Sequence, residues 1–202
     1  EIHCELVMPG YEYTPFASLS DETSAITVTL NSPSKSFNTA GLMQSNVICS
    51  DTEMRRRVDR VINIFEVCEV NPFGPDALVA AYNESEEWLD ELNRYLYDNY
   101  LELKRFFAEY MPKIEVLKLE GTYLVWVDIS ALEFTSDELE AKLRDEGKVY
   151  LNSGTMYGRR AGQGYMRINI ACPRSRMIDG LTRMAKVLAP YMEDDCDMGC
   201  PA

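Results

Sequence analysis

Two apolar runs, "AITVTLN" (Ala25–Asn31) and "LMQSNVICS" (Leu42–Ser50), are rich in β-branched residues and read as strands. "SDTE" (Ser50–Glu53) has the spacing of a capping box. It opens a helix with Met54, Val58, Val61, Ile62 and Phe65 along one stripe. "NPFGP" breaks the chain at Asn71–Pro75, and a short helix is expected near Asp76–Tyr82. The pattern then predicts a long amphipathic helix over Glu84–Tyr110. Trp88, Leu92, Tyr95, Leu96, Leu103, Phe106 and Phe107 form its buried side, and Pro112 ends it. "EVLKLEGTYLVWVDIS" reads as a hairpin turning near Gly121, and "TSDE" (Thr135–Glu138) as a second capping box. "KVYLNSG" and "GYMRINIAC" read as strands. In the latter, Tyr165, Arg167 and Asn169 share one face, while Met166, Ile168 and Ile170 share the other. A last helix buries Met177, Ile178, Leu181, Met184, Ala185 and Leu188, and "EDDCDMGCPA" follows as an acidic tail expected to be disordered. The class is α/β.

Composition narrows the function. The 202 residues, 46% hydrophobic, can build a sizeable core. A net charge of -13 argues against nucleic acid, whose binding requires basic surface. No apolar run reaches the ~20 residues of a membrane span, and there is no signal peptide. The cysteines, Cys4, Cys49, Cys68, Cys172, Cys196 and Cys200, form no C-x-x-C pair, and there is one histidine, so no metal site is expected. Buried thiols fit a reducing, cytoplasmic compartment. The start at Glu1, without methionine, reads as the middle of a longer protein. Only two clear strands in the first part also suggest a sheet with sequence missing.

One residue stands out chemically. Lys35 lies between the first two strands in "SPSKSFNTAGL", among Ser32, Ser34 and Ser36. An amine that reacts at neutral pH must lose its proton, which a partly desolvated turn beside an electrophile favours. Small hydroxylated neighbours leave room for a cofactor and offer donors to a phosphate, and Asn38 and Gly41 suit a tight turn. This arrangement suits a pyridoxal-phosphate lysine. Spacing alone favours the reading of Lys35 as a solvated surface lysine in a polar loop.

Further residues favour the pyridoxal-phosphate reading. "EIHCELVMPGYEYTPFASLSDE", "SPSKSFNTAGL", "EGTYLVWVD" and "GYMRINIACPRS" resemble the C-terminal half of a fold-type I pyridoxal-phosphate enzyme. The chain is most similar to the cystathionine β-lyase group (the bacterial C–S lyases) of the class I/II aminotransferases, over Glu1 to Met192. The resemblance implies a pyridoxal-phosphate-dependent transferase-like fold. Residues 1–84 would be the C-terminal portion of the large domain, 85–110 an interdomain helix, 111–192 the small domain and 193–202 the tail.

The same resemblance implies roles. Lys35 would carry pyridoxal 5'-phosphate and move the proton at the substrate Cα. His3 would sit near the cofactor's 3-hydroxyl; otherwise it is a surface histidine. Ser32 and Ser34 would contact the phosphate; otherwise they are turn residues. Arg167 would clamp the substrate α-carboxylate in bidentate fashion, the alternative being a surface ion pair. Thr122 and Tyr123 would line the pocket or pack in the core. Arg159 and Arg160, in a Gly-rich loop, could reach substrate or stay exposed. The aspartate expected just before Glu1 and the N-terminal half of the site are absent from this sequence. Three functions follow: a C–S β-lyase acting on an amino-acid substrate, an aminotransferase on the same framework, or a silent fragment serving oligomerisation. A homodimer is the expected assembly.

Overall fold

A computed structural model describes residues 1–193; the expected acidic tail, apart from Glu193, lies outside the described residues. The chain divides into two compact units, Glu1–Arg94 with Glu120–Thr122, and Tyr95–Leu119 with the residues from Tyr123 onward. Its described elements run α1 (Asp21–Ala25), β1 (Thr29–Asn31), β2 (Asn46–Ile48), α2 (Thr52–Ile64), α3 (Gly74–Glu84), α4 (Glu86–Tyr110), β3 (Glu115–Val116), β4 (Leu124–Asp128), α5 (Ser136–Lys142), β5 (Asn152–Ser153), β6 (Tyr165–Asn169) and α6 (Arg174–Leu188).

In the first unit, β1 and β2 pair antiparallel, Thr29 opposite Ile48 and Asn31 opposite Asn46. Both strands are shorter than the apolar runs that predict them. Ser20 accepts from the Thr23 amide and Thr23 answers in a capping box, which draws Asp21–Ala25 into α1. Ala40–Leu42 forms a 3-10 turn ahead of β2. The cap of α2 is also displaced: Asp51, rather than Ser50, accepts from the Met54 amide at 2.6 Å. No residue of α2 is buried, and Val61, Ile64 and Phe65 are exposed. Leu6 and Met8 are buried; around them the Met8 amide donates to Glu120 at 3.0 Å and the Thr122 amide to Leu6 at 2.7 Å.

The second unit is built on a four-stranded antiparallel sheet of order β3-β4-β6-β5. Strict alternation decides its two faces. Val125, Val127, Met166, Ile168 and Ile170 are buried with Leu139, Leu143, Met177, Leu181, Met184 and Leu188. Trp126 and Arg167, opposite each other across β4 and β6, lie on the other face. The capping box at Thr135 and Glu138 forms as the spacing predicts. Within α4 the inward face is Leu96, Asn99, Tyr100, Leu103, Phe106 and Phe107. Trp88 and Tyr95, expected inward, are exposed because their polar atoms serve the surface. The Trp88 indole donates to the Ser36 carbonyl at 3.3 Å, and the Tyr95 hydroxyl accepts the Arg174 amide at the start of α6 at 2.8 Å. Ile178 and Ala185 of α6 are half-buried.

Candidate functional site

Lys35 sits on one helical turn after β1, closed by the Phe37 amide donating to Pro33 at 2.9 Å. It is exposed, and among the described residues its ammonium has no hydrogen-bond or ion-pair partner. It is the only lysine between Glu1 and Arg94. Its neighbours are held firmly. Ser32, buried, donates its hydroxyl to the Gln44 carbonyl at 2.6 Å. The Ser34 hydroxyl lies 2.6 Å from that of Ser32, and the Ser34 amide also donates to Ser32. Because the single hydroxyl hydrogen of Ser32 is on Gln44, Ser34 is the donor in their pair. Ser32 therefore fixes the turn, and the half-buried Ser34 gives its hydroxyl hydrogen to Ser32.

On the other side of Lys35, Ser36 is 1% exposed and donates to Glu5 Oε2 at 2.7 Å. The Glu5 carbonyl accepts from Asn93 at 2.9 Å. Asn31 donates to Cys4 Sγ at 3.2 Å and accepts from the Tyr82 hydroxyl at 2.6 Å. Phe37 meets Tyr82 edge-on, ring centroids 5.8 Å apart. Burial and the neighbouring Glu5 carboxylate push the Cys4 thiol up to about 11, and the same causes hold the Tyr82 phenol well above its ordinary value.

His3 is half-buried and lines a cavity of about 480 Å³ with Cys4, Tyr11, Tyr13 and Thr122. Thr122 takes a φ of +61°, a region that β-branched residues rarely occupy.

In the second unit, the Arg167 guanidinium lies over the face of Tyr157, 4.3 Å from its centroid. Trp126 buttresses Tyr157 edge-on at 5.5 Å. The charge of Arg167 also reaches Tyr123, whose phenol burial pushes up and Arg167 partly restores. Tyr157 is delivered by a loop of close main-chain packing: a Cβ on Gly162 would fall inside the Gly154 carbonyl. A cavity of about 310 Å³ beside Tyr157 is lined by Leu117, Trp126 and Tyr165 as well as glycines. Arg159 and Arg160 are exposed in the same loop.

Thus the candidate residues fall into separate sets: Ser32 and Ser34 at the Lys35 turn, His3 at a cavity of the same unit, and Tyr123 with Arg167 in the other unit. Sequence reasoning missed Glu5, Cys4, Asn31 and Tyr82, whose link to the turn is long-range. It also missed Tyr157, although an aromatic inside a Gly-rich loop is a legible signal.

Comparison with known proteins extends the picture. A family model described as aminotransferase class I and II matches residues 1–183. Cystathionine β-lyase PatB of Bacillus subtilis is 39% identical over 189 residues, which cover 94% of this chain and 49% of that protein. The structure of cystalysin from Treponema denticola, which contains pyridoxal 5'-phosphate, superposes with a TM-score of 0.90 at 33% identity, covering 94% of this chain and 48% of cystalysin. A pyridoxal-phosphate-bound C–S lyase from Staphylococcus hominis superposes with a TM-score of 0.80 at 30% identity, covering 96% of this chain and 50% of that one. The chain spans about half the length of the curated relatives it matches.

Proposed function

The chain belongs to the aminotransferase class I and II family, and from that premise we propose that it is the C-terminal half of a pyridoxal-phosphate-dependent C–S β-lyase. Its fold is the corresponding part of the pyridoxal-phosphate-dependent transferase fold. The observation that carries the reading is the Lys35 turn: an exposed amine held between serines whose own polar groups are tied down. A lysine that anchors a cofactor needs this combination of reach and fixed origin. Relatives named cystathionine β-lyase and C–S lyase support the reaction class.

In this reading Lys35 Nζ would hold the cofactor, and Ser34 would turn its hydroxyl from Ser32 to the phosphate while Ser32 keeps the turn. His3 would serve the ring's 3-hydroxyl. When bound, pyridoxal phosphate supplies an electron sink for charge developing at the substrate Cα. Arg167 holds the α-carboxylate with its guanidinium edge, its face already occupied by Tyr157. Tyr123 lines the substrate pocket. Lys35 Nζ would also be the base that takes the proton at the substrate Cα. The reaction proposed would be α,β-elimination at the C–S bond, its products a thiol, pyruvate and ammonia. The large-domain portion is residues 1–84, the interdomain helix 85–110 and the small domain 111–192. A homodimer in a reducing cytoplasm completes the proposal. The four described cysteines are free, and no helix among the described residues is long and apolar enough to cross a membrane.

The test is to incubate the chain with pyridoxal phosphate, reduce with borohydride and map the adduct by peptide mass spectrometry. An adduct at Lys35, lost in Lys35→Ala, is expected. No adduct, or labelling scattered over the other lysines, would mean a silent piece. Supplying the N-terminal half of PatB and assaying cystathionine then separates pyruvate release from 2-oxoacid-dependent amino exchange, the aminotransferase alternative.

A further inference from the structure

The turn that presents Lys35 is held from one side by atoms of its own loop and from the other by a carboxylate 31 positions away in sequence. That second hold is worth following outward. The Ser36 hydroxyl is buried and gives its hydrogen to Glu5 Oε2 at 2.7 Å. Burial first, and then the charge of the same carboxylate, raises both the Cys4 thiol and the Tyr82 phenol. The main chain on both sides of the bond is secured by side chains from α4: Asn93 donates to the Glu5 carbonyl at 2.9 Å, and Trp88 to the Ser36 carbonyl at 3.3 Å. Tyr82 also reaches Asn31 at the end of β1, the residue from which the turn departs. Every member belongs to the first unit.

We infer that Glu5 is a positioning residue for Lys35. It does not touch the amine; it fixes the residue next to it, and through Ser36 it sets where the lysine side chain originates. A hydrogen bond to a charged acceptor is stronger than a neutral one, and its loss inside a buried site leaves the serine hydroxyl unpaired. Without Glu5 the turn keeps its Phe37–Pro33 bond but opens more often.

The experiment has two arms, and only the second rests on the reading of Lys35 as the cofactor-bearing lysine. In the first, amide hydrogen exchange is measured on the chain and its variants. Glu5→Ala is expected to speed exchange of the Phe37 amide about 10- to 100-fold. Glu5→Gln, which retains an acceptor oxygen, is expected to restore most of the protection. Ser36→Ala should match Glu5→Ala, and the double variant should add nothing further, because both remove one bond. The amides of Met166 and Ile168 in the other unit serve as controls. Unchanged Phe37 exchange in Glu5→Ala, or a fully additive double variant, overturns the inference. Should Glu5→Ala unfold its unit, the Thr29 amide reports it and Ser36→Ala decides alone. In the second arm, borohydride-trapped pyridoxal phosphate at Lys35 is expected to fall about 10-fold in Glu5→Ala relative to the other lysines, with rescue by Glu5→Gln. A raised Phe37 exchange with undiminished labelling would overturn the positioning role. Absent labelling in the unaltered chain would overturn the cofactor reading and leave the first arm to decide this one.

Discussion

Asn99 offers a quantitative test of how the strand carrying Arg167 is held. It is fully buried in α4 and uses its whole amide group. Nδ2 donates to the carbonyls of Ile170 at 3.0 Å and Cys172 at 3.1 Å, and Oδ1 accepts from Arg174 Nε at 3.1 Å. These three atoms span the exit of β6 and the start of α6. Replacement by leucine, similar in volume, removes all three bonds at once. The Arg174 guanidinium is partly exposed and can return to water, and so in part can the Cys172 carbonyl. The Ile170 carbonyl cannot, and it keeps only the bond from the Cys172 amide at 2.9 Å. Each of the two neutral bonds is worth about 0.5–1.5 kcal/mol, and the charge-assisted bond to the partly exposed Arg174 adds roughly 1 kcal/mol. We expect Asn99→Leu to destabilise the second unit by about 2–4 kcal/mol. The assay is urea unfolding followed by the fluorescence of Trp126, with Trp88 replaced by phenylalanine so that one indole reports one unit. With a slope of roughly 1–2 kcal/mol/M for a small unit, the midpoint should fall by about 1–4 M. Tyr95→Phe, which removes only the exposed hydroxyl capping Arg174, is the control and should cost no more than about 1 kcal/mol. A loss below about 1 kcal/mol for Asn99→Leu, or a loss no larger than that of Tyr95→Phe, would refute this reasoning.

Other expectations concern single groups. The Cys4 thiol, pushed up to about 11 first by burial and then by Glu5, should alkylate slowly at pH 8; Glu5→Gln should speed it, though less than fully, since burial remains, and an unchanged iodoacetamide rate would contradict the assigned cause. Gly162→Ala should disorder the loop that delivers Tyr157, because the new methyl meets main chain rather than a movable side chain; loss of Trp126 near-UV dichroism would report it. Asp137 is held below the ordinary carboxylate range by the hydroxyls of Ser153 and then Thr155. A depressed folded-state value contributes stability above the ordinary carboxylate range that is lost as pH falls through the folded value, so Asp137→Asn should flatten the acid limb of a stability–pH curve.

Much of the second unit was legible in sequence because its signals are local. The Thr135–Glu138 box needs only residues three apart, and the alternation of β6 is carried by five consecutive residues. The first unit was harder. Ala25–Asn31 has strand composition, yet Ser20 and Thr23 complete a capping box and the helix takes its beginning. At Ser50–Asp51 two good caps stand side by side, and the aspartate wins, accepting at 2.6 Å from Met54. Trp88 and Tyr95 follow the apolar stripe of α4, but an indole or phenol can satisfy a distant main-chain group from the surface, which no periodicity encodes. The Lys35 turn was found from its own flanking serines. Its dependence on Glu5 was not, because nothing in "EIHCEL" or "SPSKSF" alone says that residues 5 and 36 meet.

The absence of any lysine but Lys35 from Glu1 to Arg94 has a consequence for chemical selectivity. The other basic side chains of that stretch, apart from His3, are Arg55, Arg56, Arg57, Arg60 and Arg94. A guanidinium stays protonated and does not condense with aldehydes under conditions where an amine does. A carbonyl reagent that reaches this unit therefore finds one side-chain amine able to capture it. Discrimination is achieved by leaving no competitor, so the kinetics of capture at Lys35 need not outrun those of any rival lysine nearby.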